Sequence, residues 1–140
     1  MTKETAKLIN PITLAFLGDA VYSLRIREKL IAQKSGTPSE MQRIASKLVS
    51  ARGQSAFLTQ VLPLLTEEEA EIYRRGRNAK KTTNSKNADA VDYNRSTGFE
   101  AVLGYLYLIG AEERIEQILS LLSEEDFEGQ AVAGPFKPNH

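Results

Sequence analysis

Two carboxylates stand alone in the most apolar parts of this chain, and their isolation limits what they can be doing there. Between Leu8 and Leu24 the only charged residue is Asp19, and between Ser96 and Ala111 the only one is Glu100. On a helix, a partner would sit three or four positions away. Those positions hold Ala15, Phe16, Tyr22 and Ser23 around Asp19, and Ser96, Thr97, Leu103 and Gly104 around Glu100. An isolated carboxylate is costly to remove from water. Each acid must therefore meet a distant Arg or Lys, a rim of solvent, or a cation. Ala15 and Gly18 flank one acid, Ala101 and Gly104 the other, so two helix backbones could approach closely at this point. Facing carboxylates repel unless a divalent ion lies between them. Mg²⁺ suits such a place, because it takes oxygen ligands, keeps several waters and is held by one or two carboxylates plus substrate phosphates. The bland alternative, each acid paired across the core with an Arg, stays open on these residues alone.

Other chemistries are excluded by absence. The chain has no Cys, and its only His is His140, the last of 140 residues. Disulfides, thiol catalysis, thiolate zinc and imidazole-based triads are therefore out. Hydrolysis here must use carboxylates, hydroxyls, amines or a metal held by oxygen.

The 18 basic and 18 acidic residues cancel in total but not locally. Arg74, Arg75, Arg77, Lys80, Lys81, Lys86 and Arg95 face only Asp89 and Asp92 within their stretch. A cluster of this kind is either a solvated loop or a set of phosphate contacts. The second reading makes those seven cations candidate nucleic-acid-binding residues.

The elements that must carry these residues read as helices throughout. Asn10 and Pro11 open the first, through Ile12, Phe16, Val21, Leu24 and Leu30 to about Gln33. Thr37 and Glu40 form a capping box for the second, Ser50 caps a third up to Pro63, and Thr66 with Glu69 boxes a fourth reaching about Arg77. A basic loop from Asn78 to Asn87 leads to a long helix from near Ala90 to Gly110, and a last helix holds Ile115, Ile118, Leu119 and Leu122. Tyr22, Tyr105 and Tyr107 read as helix-packing residues. The expectation is one all-α domain of about six to seven helices over residues 1–127, with a disordered tail over 128–140. No signal-peptide pattern follows the polar start, and no run reaches the ~20 apolar residues of a membrane span, so the expected compartment is the cytoplasm.

The acidic segments also carry a resemblance. Leu14-Ala15-Phe16-Leu17-Gly18-Asp19-Ala20-Val21 resembles the signature helix of the ribonuclease III family, and Thr97-Gly98-Phe99-Glu100-Ala101-Val102-Leu103-Gly104 with Tyr105 to Leu108 resembles its second acidic helix. Arg74-Arg75-Gly76-Arg77-Asn78-Ala79-Lys80 and Tyr93-Asn94-Arg95-Ser96-Thr97 resemble the Mini branch of that family, and the likeness runs in order from Ile9 to Leu122. The resemblance implies a single ribonuclease III-like endonuclease domain. Its implied activity is Mg²⁺-dependent cleavage of double-stranded RNA by a homodimer, with Mn²⁺ able to substitute. It further implies 5′-phosphate and 3′-hydroxyl products, maturation of 23S ribosomal RNA precursor ends, and a large-subunit ribosomal protein as a candidate partner. Asp19 and Glu100 would be the catalytic and metal-binding acids. Two further family carboxylates are replaced here by Ala15 and Thr97, as in the Mini branch, and no double-stranded-RNA-binding domain is expected after Leu122. Thr97 is a candidate hydrogen-bond partner for a metal water, and exposure of Phe16 and Tyr22 would mark the dimer surface. Two rivals remain: a non-catalytic RNA-binding module with both acids paired to core Arg residues, and a helical metal phosphohydrolase acting on nucleotides.

Overall fold

A computed structural model describes residues 1–33, 36–79, 87–123 and 125–127. Among these residues seven α-helices run in chain order: α1 (Lys3–Lys7), α2 (Pro11–Ala32), α3 (Pro38–Val49), α4 (Ala51–Val61), α5 (Glu67–Asn78), α6 (Ala88–Leu108) and α7 (Glu112–Leu119), with a 3₁₀ turn at Leu62–Leu64. Among the described residues there is no strand, and no helix is long and apolar enough to cross a membrane.

The caps read from the sequence are made. Asn10 Oδ1 accepts from Ile12 N at 2.7 Å, and Thr37–Glu40 and Thr66–Glu69 close both halves of their capping boxes. Ser50 Oγ accepts from Gly53 N at 3.0 Å, which starts α4 directly after α3. Such caps satisfy backbone groups that a helix end would otherwise leave unpaired. The polar start proves to be helical: Thr2 caps α1, Ala6 is buried, and the Met1 amino group donates to Leu108 O at 3.0 Å. The long helix begins at Ala88, because Asn87 supplies the cap through Asp89 N.

α6 lies at the centre, packed against α2, α4 and α5. A Cβ added at Gly18 would fall 1.7 Å from Glu100 O, and one added at Gly104 would fall 2.0 Å from Leu14 O. Gly18 thus faces Glu100 while Leu14 faces Gly104, so α2 and α6 cross in opposite directions with main chain against main chain. Tyr22 is fully buried there, edge-on to Phe99 at 5.3 Å, and Phe57 of α4 meets Phe99 at 5.9 Å. Tyr22 is therefore core and not surface; it packs at the three-helix junction, whereas Phe16 is exposed. Tyr105 is also buried, whereas Tyr107 is half exposed. Phe127 is buried in the same core, which anchors the end of the described chain. Residues 128–140 lie outside the described residues.

Candidate active site

The α2–α6 crossing brings the two lone acids together. Gly18 rests on the backbone of Glu100, so Asp19, the next residue, stands beside the Glu100 side chain. The Asp19 carboxylate lies close enough to act on the Glu100 carboxyl. Asp19 is exposed and Glu100 is half-buried, so the pair opens to solvent on one side. Burial, followed by the proximity of Asp19, pushes the Glu100 carboxyl up to about 8, against the opposing pull of a hydrogen bond from Gln54.

That bond comes from a residue not singled out above as functional. Gln54 on α4 is 1% exposed, and its Nε2 donates to Glu100 Oε2 and to Val49 O, both at 2.9 Å. A signal was present: Gln54, Phe57, Leu58 and Val61 follow the spacing of a buried helical stripe and all four are buried, so a polar residue occupies a core position. Among the described residues neither Asp19 nor Glu100 forms an ion pair with Lys or Arg. The pairing of each acid with a core Arg is thus absent.

The donor set fits a hard divalent cation. It offers carboxylate oxygens with no competing positive charge, and its one hydrogen-bonding neighbour from another helix is a neutral amide. Among the described residues no group of three or more His, Cys, Asp or Glu gathers, so the site rests on two acids. Ala15 is buried in the helix contact, and the Thr97 hydroxyl, also buried, donates to Tyr93 O at 3.0 Å. Back-bonding to its own helix thus occupies the Thr97 proton.

The seven candidate cations have different fates. Arg74 is exposed on α5. Arg75 donates to Lys7 O at 3.0 Å and Ile9 O at 3.3 Å, tying α5 to the entry of α2. Arg77 lies over the Tyr73 ring, 5.5 Å from its centroid, and bonds Asn78 Oδ1. Arg95 turns inward: Nε donates to Ser55 Oγ at 2.7 Å, and Nη2 to Ser55 O and Thr59 Oγ1. Lys80, Lys81 and Lys86 lie outside the described residues. Of the described four, Arg74 is the cation most open to solvent.

The Ribonuclease III domain family model matches residues 12–110, which spans α2 to α6 and both acids. The chain belongs to the ribonuclease III family. It is 49% identical over 112 residues to the Mini-ribonuclease 3 of Brevibacillus brevis, covering 80% of this chain and 84% of that protein. It is 50% identical over 115 residues to the Mini-ribonuclease 3 of Streptococcus pneumoniae, covering 81% and 90%. Among solved structures it is similar to protein FN1578 from Fusobacterium nucleatum, with a TM-score of 0.71 and 30% identity over 81% of this chain and 91% of that one. As a ribonuclease III-family member of the Mini branch, the chain is an endoribonuclease of a family that acts on double-stranded RNA with divalent metal.

Proposed function

We propose that Asp19 and Glu100 are the catalytic acids and hold Mg²⁺, with Mn²⁺ able to substitute, and that the chain hydrolyses double-stranded RNA to 5′-phosphate and 3′-hydroxyl ends. The observation carrying this reading is an acid pair at a main-chain crossing, open to solvent and balanced by an amide in place of a guanidinium. A divalent cation bound there supplies Lewis-acid polarisation of a phosphodiester and acidifies water. The chain's own part is to fix the carboxylates. Asp19 presents its oxygens from the exposed face of α2, and Glu100 is pinned through Oε2 from below. In this reading Arg74, Lys80, Lys81 and Lys86 grip phosphates beside the cut, while Arg75 and Arg95 tie elements together and Arg77 stays on its own helix. A-form RNA offers shape and 2′-hydroxyls to such contacts, with little sequence information.

The physiological substrate in this reading is a 23S ribosomal RNA precursor in the cytoplasm, with site choice left to the RNA's fold or a bound large-subunit ribosomal protein. The working unit is a homodimer, each copy cutting one strand. Support comes from α2, where Ile12, Phe16 and Leu24 are exposed at helical spacing, Phe16 at 81%.

The test is incubation of wild type, Asp19→Asn and Glu100→Gln with an end-labelled RNA duplex and Mg²⁺. Wild type cuts both strands, leaving 5′-phosphates, while either variant loses cleavage at least a hundredfold yet still retards the duplex on a gel. Full cleavage by Asp19→Asn would refute the assignment.

A further inference from the structure

We propose that Gln54 is a positioning residue for the acid pair: a neutral clamp that fixes Glu100 in its metal-accepting orientation without cancelling its charge. The inference rests on the reading of Asp19 and Glu100 as metal ligands.

The clamp begins at the α3–α4 corner. A Cβ at Gly53 would fall 2.1 Å from Lys47 O and 2.9 Å from Leu48 O, so the first turn of α4 sits directly on the last turn of α3. Ser50 locks that corner, accepting from Gly53 N at 3.0 Å and donating to Lys47 O at 2.8 Å. The next residue, Gln54, therefore starts from a backbone with little freedom. Its Nε2 spends one hydrogen on Val49 O and the other on Glu100 Oε2. Turning the amide over would set oxygen against both acceptors, so the orientation is determined. Oε2 of Glu100 is held, while Oε1 has no donor among the described residues.

Capping of α3 alone does not account for this arrangement. Val49 O is one of the carbonyls a helix end leaves unpaired, and Gln54 does satisfy it. Yet Gln54 Oε1 is buried without a hydrogen-bond partner among the described residues. Leaving a buried acceptor unmade destabilises a fold, and an apolar residue of the same size would avoid it. The amide is kept at that cost, and its second hydrogen goes to Glu100. A Lys or Arg in this place would hold the carboxylate too, but its charge would compete with a cation. An amide orients without competing, the role that partners behind a metal ligand serve.

The experiment measures Mn²⁺ binding by electron paramagnetic resonance of the free ion, with RNA-free protein at a temperature where circular dichroism shows each variant folded. Gln54→Met, similar in size and lacking a donor, is expected to weaken Mn²⁺ binding roughly 10- to 100-fold in the folded protein, with the unpaired Val49 carbonyl also lowering its metal-free melting temperature. Gln54→Asn keeps an amide one methylene too short to reach Glu100 and is expected to weaken binding similarly. It carries the test if the Met variant does not fold. Wild-type Mn²⁺ affinity in the folded variants, with only the melting temperature lowered, would make Gln54 a packing residue and overturn the proposal. Asp19→Asn serves as the control: if it binds Mn²⁺ as wild type does, the reading of the acid pair falls first and takes the clamp with it.

Discussion

Glu100 bears the electrostatic cost of the site, and that cost has a sign. Its carboxyl is held well above the ordinary value of 4.5, by burial first and then by Asp19. The folded state therefore keeps a proton that the unfolded chain has released, so stability falls as pH rises from the ordinary carboxylate range towards about 8. With metal removed by chelation, the melting temperature is expected to drop by several degrees between pH 5 and 8. Glu100→Gln, which carries no proton to lose, should flatten that slope, and thermal melts across the range will check it. Asp19 and Glu100 were legible because a charge in an apolar run contrasts with its neighbours. Gln54 was not, since an uncharged residue breaks no charge pattern and only its place on a buried stripe distinguishes it. Arg95 was legible as a cation but not as a brace, because Ser55 and Thr59 belong to another helix some forty positions earlier. Arg95→Ala is expected to cost roughly 1.5–3 kcal/mol of stability while leaving the salt dependence of RNA binding unchanged. Arg74→Ala should leave stability alone and lower that salt slope by about one unit. Denaturant melts and binding titrations at several salt concentrations separate the two.

At the scale of elements, the helices were readable because their ends carry their own chemistry. The capping boxes, the Asn10–Pro11 start and the Ser50 cap are local, so each element declares itself without knowledge of the rest. α1 is too short and polar to show a period, and it forms because Thr2 caps its start and the Met1 amino group just before it reaches Leu108 O. The α2–α6 crossing depends on Gly18 and Gly104, and Gly18→Ala or Gly104→Ala forces the backbones apart. Each is expected to cost roughly 1–3 kcal/mol or more, with Mn²⁺ affinity falling in parallel because the acids separate. α5 and α7 are joined by Glu69 and Arg114, whose Nη2 reaches Glu69 Oε1 at 2.8 Å. Burial pushes Glu69 up, but Arg114 and the Thr66 cap outweigh it and hold the carboxyl below its usual range. This contribution is present above the ordinary carboxylate value and is lost as pH falls through the lowered one. Glu69→Gln is expected to remove roughly 1.5–3 kcal/mol near neutrality and less in acid, as urea melts at pH 7 and pH 3 will show.

For the whole molecule, the inward surface of α2 is explained by the core and its outward surface is not. Ile12, Phe16, Leu24 and Ile31 are exposed on it. A one-sided apolar pattern shows which positions are alike but not which face a neighbouring helix will cover, so Phe16 and Tyr22 looked equivalent in the sequence. Phe16→Glu is expected to leave the fold intact and shift sedimentation from dimer to monomer, with loss of paired cuts on the two strands. A monomeric wild type at working concentration would count against the homodimer. Phe16 precedes Asp19 by three residues, about 4.5 Å along the helix axis. Any greasy molecule lodged on that ring would therefore stand at the threshold of the acidic pair. An inhibitor anchored there would gain its grip from hydrophobic burial and act by keeping the proposed dimer from closing, with no need to chelate an ion.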